Sequence, residues 1–110
     1  MSTRAAIHFQ FDSVDYAIIS RHCDGYPEGL GKDIQDFLDD VSELEDNRFG
    51  DPSYLAAKWV VWDSQRTGTT VTLDFLGVGI VMEDPGDIEY KYLVECHNGD
   101  KRPEVKCVKV

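Results

Sequence analysis

One stretch of the sequence concentrates the residue types that could bind a ligand. Residues 21–33, RHCDGYPEGLGKD, place an arginine, a histidine, a cysteine and an aspartate beside three glycines and a proline. Arg21 and His22 could hold an anion near a helix N-terminus, where backbone N–H groups are unpaired. Glu28 and Asp33 would oppose an anion, and Asp24-Gly25 is typical of a structural turn. We favour the turn and keep the ligand loop Arg21–Gly31 as the alternative. Its candidate binding residues are Arg21, His22, Asp24, Gly25, Tyr26 and Glu28.

Two dipeptides, His22-Cys23 and Cys96-His97, could supply a metal ligand or a nucleophile. Zinc takes four nitrogen or sulfur ligands in a tetrahedron. Consecutive strand residues point to opposite faces, so only one residue of each dipeptide could join a shared site. Neither a CxxC nor an HxxxH spacing occurs. Cys23 with His97 is the one pair that could form a Cys/His dyad. We predict no metal, no cofactor and no catalytic residue.

The sequence contains no motif of a known enzyme class. Neither a phosphate-binding glycine loop nor a nucleophile elbow is present. Trp59 and Trp62 could stack on nucleic-acid bases, but such a platform needs a basic groove beside it. We therefore expect both tryptophans to face the core and the protein not to be an enzyme.

Charge is the most unusual property of the chain. The 110 residues carry a net charge of −10. Residues 24–51 contain ten acids against Lys32 and Arg48, so this segment alone carries −8. Contacts with phosphates need clustered lysine and arginine, which argues against direct binding of nucleic acid or of an anionic membrane. A basic protein surface is the favoured partner.

The acids concentrate on one predicted helix, residues 30–45. A solvated face that aids solubility is one interpretation. Acids near a helix C-terminus, however, repel each other and interact unfavourably with the helix dipole. This unfavourable arrangement favours the interpretation that the acids bind a basic surface of a partner. The predicted partner-binding residues of this acidic face are Asp33, Asp36, Asp39, Asp40, Glu43, Glu45 and Asp46.

Hydrophobic periodicity predicts the elements that position these residues. Residues 4–11 and 14–23 alternate as a β-hairpin, with Ile7, Phe9 and Phe11 on one side of the first strand. The helix at 30–45 has one apolar stripe. Its members are Leu30, Ile34, Phe37, Leu38, Val41 and Leu44.

A second helix is predicted from Ser53 to about Gln65, capped by Asp51 with Pro52 at its first position. Strands follow at 69–82, irregular at Gly77 and Gly79, at 88–97 and at 104–110. Asn98-Gly99 indicates a hairpin between the last two. In the strand at 88–97 the residues expected to point inward are Ile88, Tyr90, Tyr92, Val94 and Cys96.

The element order ββααβββ predicts an α+β fold, a mostly antiparallel sheet with two helices on one face. A chain of this length forms one domain, residues 1–110. The first residues, MSTRAAIHFQFD, lack the apolar region of a signal peptide, and no apolar run is long enough to span a bilayer. We expect a cytoplasmic protein with reduced cysteines.

Four segments resemble a family of small proteins encoded by bacteriophages, prophages and other bacterial mobile elements. They are STRA at 2–5, RHCDGYPEGLGKD at 21–33, FL at 37–38 and GDIEYKYLV at 86–94. The resemblance implies an origin in a mobile element and a bacterial host cell as the location. It carries over no catalytic residue.

Three functional hypotheses follow. The leading one is an acidic binding protein that blocks a host nucleic-acid-binding complex by imitating phosphates, as anti-CRISPR and other anti-defence proteins often do, which is an analogy. The second is a ligand- or nucleotide-binding module, or a small enzyme, that uses the Arg21–Gly31 loop. The third is an accessory subunit that works within an oligomer, and a homodimer stays possible.

Overall fold

The computed structural model describes residues 2–66, 72–74 and 76–110. Within those ranges the chain forms five strands and two α-helices in the order ββααβββ, which confirms the predicted α+β class. The elements are β1 (Ala5–Phe11), β2 (Val14–Arg21), a π-helical turn (Pro27–Gly31), α1 (Lys32–Ser42), α2 (Pro52–Gln65), β3 (Val78–Val81), β4 (Tyr90–Cys96) and β5 (Glu104–Lys109).

Strand β1 lies at the centre of one mixed sheet of order β3-β2-β1-β4-β5. It pairs antiparallel with β2 and parallel with β4, and the two outer pairings are antiparallel. The predicted hairpin is confirmed: Asp12 and Ser13, which join β1 to β2, both have positive φ, 52° and 64°. Two such residues are typical of a type I′ turn, whose twist matches that of the strands.

Both helices pack on the same face of the sheet, where the main core lies. Ile7 and Phe9 of β1 are buried there against the apolar stripe of α1. The ring of Phe37 meets the fully buried ring of Trp59 edge-on, with 5.3 Å between their centroids. Trp59 thus faces the core as predicted, and Trp62 lies half-buried at the core's edge.

Residue chemistry fixes where the helices begin. Pro27 occupies the first position of the π-helical turn that leads into α1. The Asp51 carboxylate accepts a hydrogen bond from the backbone N–H of Tyr54, and Pro52 takes the first position of α2. The predicted cap of the second helix is confirmed, because proline at that position forfeits only an N–H that has no partner in the helix.

The predicted end of the first helix is wrong. The helix stops at Ser42, where the backbone N–H of Glu43 donates to the carbonyl of Asp40 and the N–H of Leu44 donates to the carbonyl of Val41. Leu44 was expected in the buried stripe but is 47% exposed. Crowded carboxylates beside the negative end of the helix dipole give a physical reason for the earlier end.

The predicted strand at 69–82 is shorter in its described part, residues 72–74 and 76–82. Within the described part of it, pairing along a strand covers only Val78–Val81, and Gly77 before it has a φ of +75°. Such a glycine interrupts an extended run. The remainder of that prediction, 69–71 and 75, lies outside the described residues.

A second, smaller apolar cluster lies on the opposite face of the sheet. Ala6 and Ile18 are buried there against Ile88, with Val81 packed beside them. Ile88 was predicted to point inward with Tyr92, but it precedes β4 and covers the other face. The hairpin between β4 and β5 forms as predicted, with Gly99 at a φ of +83° in its connection.

None of the helices in the described ranges has the length and apolar character needed to cross a membrane.

Candidate functional site

The Arg21–Gly31 loop is held by its own backbone. The N–H of Gly25 donates to the carbonyl of Thr3 at 2.9 Å, and the N–H of Leu30 donates to the carbonyl of Asp24 at 2.8 Å. From β4, the buried Tyr92 hydroxyl donates to the carbonyl of Gly25 at 2.7 Å. These bonds attach the loop to β4 and to the residues just before β1, as expected of a structural turn.

Glycine is needed in this loop for close approach. Asp24, not Gly25, has the left-handed backbone, with a φ of 57°. A Cβ at Gly25 would lie 2.7 Å from Cβ of Ala5 and 2.9 Å from the carbonyl oxygen of Thr3. The turn therefore passes directly against the start of β1, and a side chain at position 25 has no room.

The arginine of the loop is already engaged. Arg21 is 4% exposed, and its Nη1 lies 2.9 Å from Oδ2 of Asp33. Nη1 of Arg66 lies 3.7 Å from the same oxygen, and Nε of Arg66 donates to Asp63 at 2.8 Å. Burial alone would lower the pKa of Arg66, but the bond to Asp63 and the charges of Asp33 and Asp63 raise it. Two arginines and two aspartates thus balance each other where β2 meets the helices.

This network corrects one predicted site residue. Asp33 was expected on the outward acidic face, but it turns towards the sheet and neutralises Arg21.

His22, the next residue along the chain, contacts Arg4. It is exposed, and Nε of Arg4 donates to its Nδ1 at 3.4 Å. Arg4, Arg21 and His22 line a cleft of about 540 Å³. Asp87, also in the cleft, pairs with Arg4 at 2.9 Å. The cleft therefore contains positive charge, but each of its two arginines is paired with a carboxylate, Arg4 with Asp87 and Arg21 with Asp33.

The other predicted loop residues, Asp24, Tyr26 and Glu28, are exposed. The Tyr26 hydroxyl donates to Asp24 at 3.3 Å, and the charge of Asp24 raises the pKa of Tyr26. Asp24 and Tyr26 thus contact each other within the loop.

Strand register separates the cysteine and histidine candidates. Arg21 pairs with Ala5 at one end of β1, whereas Cys96 pairs with Phe11 at the other. Cys23 and His97 therefore lie beyond opposite ends of a seven-residue strand, roughly 20 Å apart at about 3.3 Å per residue. Burial raises the pKa of the Cys96 thiol to about 12. The described residues contain no group of three or more histidine, cysteine or acidic side chains placed to hold a metal.

Four of the predicted acids form what we call the acidic face: Asp36, Asp39 and Asp40 on the outward side of α1, and Glu43 directly after its last residue. Asp36 pairs with Lys32 at 2.7 Å, and Asp39 pairs with Arg102 at 2.7 Å. Asp40 accepts a hydrogen bond from Nε1 of Trp62, also at 2.7 Å. The carboxylates lie at the surface, and the two basic partners neutralise part of their charge.

Glu45 and Asp46 lie beyond the end of α1. Both are exposed in the connection to α2, where Asp46 pairs with Arg48 at 3.3 Å. They adjoin the acidic face without belonging to the helix.

Sequence reasoning missed an apolar groove next to the acidic face. We call it the interhelical groove; its volume is about 480 Å³, and its lining includes Val41, Leu44, Tyr54, Ala57, Val61 and Trp62. The signal was present in the sequence: Tyr54, Ala57 and Val61 repeat at i, i+3 and i+7, a second apolar stripe on α2.

A buried histidine was also missed. Nδ1 of His8 lies 2.9 Å from Oδ1 of Asp15, and Nε2 lies 2.6 Å from Oδ1 of Asp84. Burial raises the pKa of Asp15, but hydrogen bonds from Gln10 and His8 outweigh it and the net pKa is lowered. The arrangement ties the segment before β4 to the outer side of the sheet, away from the helices.

Comparison with known proteins gives no match: neither a family model, nor a curated protein, nor a solved structure is similar to this chain.

Proposed function

We propose that the protein binds a basic protein surface through the acidic face and thereby occludes a nucleic-acid-binding complex of a bacterial host. The observation that carries the proposal is the outward row of carboxylates on α1. Three acids occupy one side of an eleven-residue helix whose other side packs in the core, and Glu43 follows directly after its last residue. Two of them, Asp36 and Asp39, keep 46% and 65% of their side chains exposed although they are paired.

The charge distribution supports a binding role. Folding turns Asp33 inward and places it with Arg21, so the acids left outside are not needed to balance the buried arginine. Surface ion pairs contribute roughly 0–1 kcal/mol each, so stability alone does not account for the row. Complementary charge instead accelerates encounter with a basic partner and selects it.

The proposal also specifies the kind of surface that is occluded, one that binds nucleic acid. Such surfaces carry the clustered lysine and arginine that phosphates require. Carboxylates repeating along a helix can engage the same side chains. The resemblance to mobile-element proteins supports a target among host defence complexes, by analogy with anti-CRISPR proteins.

A ligand-binding role for the Arg21–Gly31 loop is the second candidate. The cleft that gathers Arg4, Arg21 and His22 favours it. The pairing of Arg4 with Asp87 and of Arg21 with Asp33 weakens it, because an anion would have to displace a carboxylate.

The proposal is tested by reversing the acidic face: Asp36→Lys, Asp39→Lys, Asp40→Lys and Glu43→Lys in one variant. The matched control reverses four exposed acids elsewhere: Glu83→Lys, Glu89→Lys, Asp100→Lys and Glu104→Lys. Each reversal adds two charges, so both variants move from −10 to −2.

Immobilised wild-type protein and both variants are incubated with nuclease-treated bacterial lysate, and bound proteins are identified by mass spectrometry at 0.1 M and 1 M salt. We expect a basic nucleic-acid-binding protein on the wild type and the control at low salt, and its loss from the acidic-face variant. High salt should weaken capture, because the Debye length falls from about 10 Å to about 3 Å. Equal capture by all three proteins at both salt concentrations would overturn the proposal. Capture lost instead in a His22→Ala variant would favour the loop.

A further inference from the structure

Helix α2 is apolar on two sides, although only one side meets the core. Leu55 and Trp59 are fully buried against the sheet and α1. On the other side Tyr54 is 54% exposed and Val61 is 55% exposed, with the exposed Ala57 between them. A helix that is apolar on most of its circumference is ordinarily covered on most of it. The second stripe is therefore the part of the helix pair most in need of a cover.

The interhelical groove runs along this stripe between antiparallel helices. Asp33, near the start of α1, lies beside Arg66 at the end of α2. Leu44, just past the end of α1, lines the groove together with Tyr54, near the start of α2. Large aromatic rings separate the helices, with Phe37 and Trp62 at a centroid distance of 5.7 Å. The groove is thus an open channel with an aromatic floor.

The floor is fixed before anything binds. Nε1 of Trp62 donates to the Asp40 carboxylate at 2.7 Å, and the Trp62 ring stacks on Trp59 at a centroid distance of 5.4 Å. A ring held on one face and at its polar edge has little rotamer freedom left to lose. Binding to it therefore costs little conformational entropy.

The dimensions fit a helix. From Tyr54 to Gln65 the groove follows α2 for about 16 Å, at about 1.5 Å per residue. An amphipathic helix that binds through positions i, i+4 and i+7 spans about 10 Å between its outer anchors. Two or three apolar side chains of such a helix would lie along the groove.

The charges beside the groove indicate which side chains the bound helix would carry. The α1 side of the groove carries Asp40 in its lining, with Asp36 on the same side of the helix and Glu43 just past its end. Lys58 is the basic residue of the lining on the α2 side. A ligand with lysine or arginine beside its apolar stripe matches this edge. A second copy of the chain would bring another acidic face and a further −10 of charge towards the first.

We propose that the interhelical groove binds an amphipathic helix of a basic protein, with apolar side chains on Tyr54, Val61 and Trp62 and basic side chains on the acidic face. The inference rests on the proposed function and names the part of the partner that is recognised. Apolar contact in the groove supplies affinity, while the acids supply selection.

Two synthetic peptides of about 18 residues test this groove directly. Both carry leucine at helical i, i+3, i+4, i+7 and i+11 spacing and a fluorescent label; one has lysine and alanine elsewhere, the other glutamate and alanine. Anisotropy titrations measure Kd for the wild type, for Val61→Gln and for Val14→Gln. Val14 is the matched control, because it is 56% exposed on β2, outside the groove. Circular dichroism confirms that each variant is folded, and Ala57→Gln replaces Val61→Gln if that variant is not.

We expect the lysine peptide to bind the wild type and Val14→Gln alike and to bind Val61→Gln about tenfold more weakly. The glutamate peptide should bind at least tenfold more weakly than the lysine peptide. The inference is overturned if Val61→Gln binds the lysine peptide as well as the wild type does, or if the wild type binds neither peptide. It is also overturned if the two peptides bind equally, since charge then selects nothing.

Sedimentation velocity tests the other occupant of the groove, a second copy of the chain. A wild-type dimer that Val61→Gln converts to a monomer would assign the groove to a second copy and overturn the inference. Failure of the groove is also separable from failure of the proposed function. A lysate partner lost with the acidic-face variant but retained by Val61→Gln would leave the function standing and remove the groove from it.

Discussion

The Arg21–Gly31 loop and the outer side of the helix pair differ in how they use polar residues. The loop contains the residue types most often associated with binding, but its arginine and its backbone are satisfied within the fold. The acidic face and the interhelical groove belong to an ordinary amphipathic helix pair, but they direct carboxylates and apolar side chains outward. A candidate site is therefore better identified by the groups that the fold leaves at the surface than by residue types alone.

Substituting Gly25 with valine tests most directly whether the loop is a structural turn. The new Cβ would lie 2.7 Å from Cβ of Ala5 and 2.9 Å from the carbonyl oxygen of Thr3, so the loop must leave the sheet. We expect a loss of more than about 3 kcal/mol in the free energy of unfolding, or no folding at all. Urea denaturation followed by circular dichroism measures it.

Gly86→Val is the matched control for that experiment. A Cβ at Gly86 meets nothing within 4 Å, and its φ is not in the left-handed region. Its effect should stay within about 0.5 kcal/mol. Similar losses in both variants would show that the loop is not the close-packed turn described above.

The second prediction concerns the arginine of the loop. Arg21→Ala should lower the free energy of unfolding by about 2–3 kcal/mol, because the variant loses a buried ion pair and leaves Asp33 with Arg66 at 3.7 Å. His22→Ala, at the neighbouring exposed position, should cost less than about 0.5 kcal/mol. A folded Arg21→Ala protein of unchanged stability that no longer captures its partner would make the loop a binding site.

The buried pair could have been predicted from register. Arg21 lies two residues after Ile19 on the inward side of β2, and Asp33 lies three residues after Leu30 and four before Phe37. Both positions point to the core, and a charge there needs a partner. Asp33 was grouped with the outward acids because of its residue type, although the helical periodicity places it on the inward side.

Other features depend on tertiary structure and leave a weaker trace in the sequence. The order of elements, the first hairpin and the cap at Asp51 follow from local rules of alternation, turn chemistry and capping, and they were predicted correctly. The parallel pairing of β1 with β4 joins residues about 85 apart in the chain, such as Ala5 and Tyr90, and no local rule specifies it. The interhelical groove depends on how far apart two helices pack.

The smallest expected effect is on the stability of the acidic face itself. Asp39 and Arg102 lie 2.7 Å apart, with 65% and 39% of their side chains exposed. A double-mutant cycle with Asp39→Ala, Arg102→Ala and the double variant isolates their coupling, because helix propensity and the contacts of Arg102 with Gln35 cancel. We expect a coupling below about 1 kcal/mol, since solvent screens an exposed pair. The same cycle on Arg21 and Asp33 should give a larger value, because those side chains are mostly buried. A coupling above about 2 kcal/mol for the exposed pair would mean that the carboxylates of α1 stabilise the fold, and the argument that they serve a partner would lose its basis.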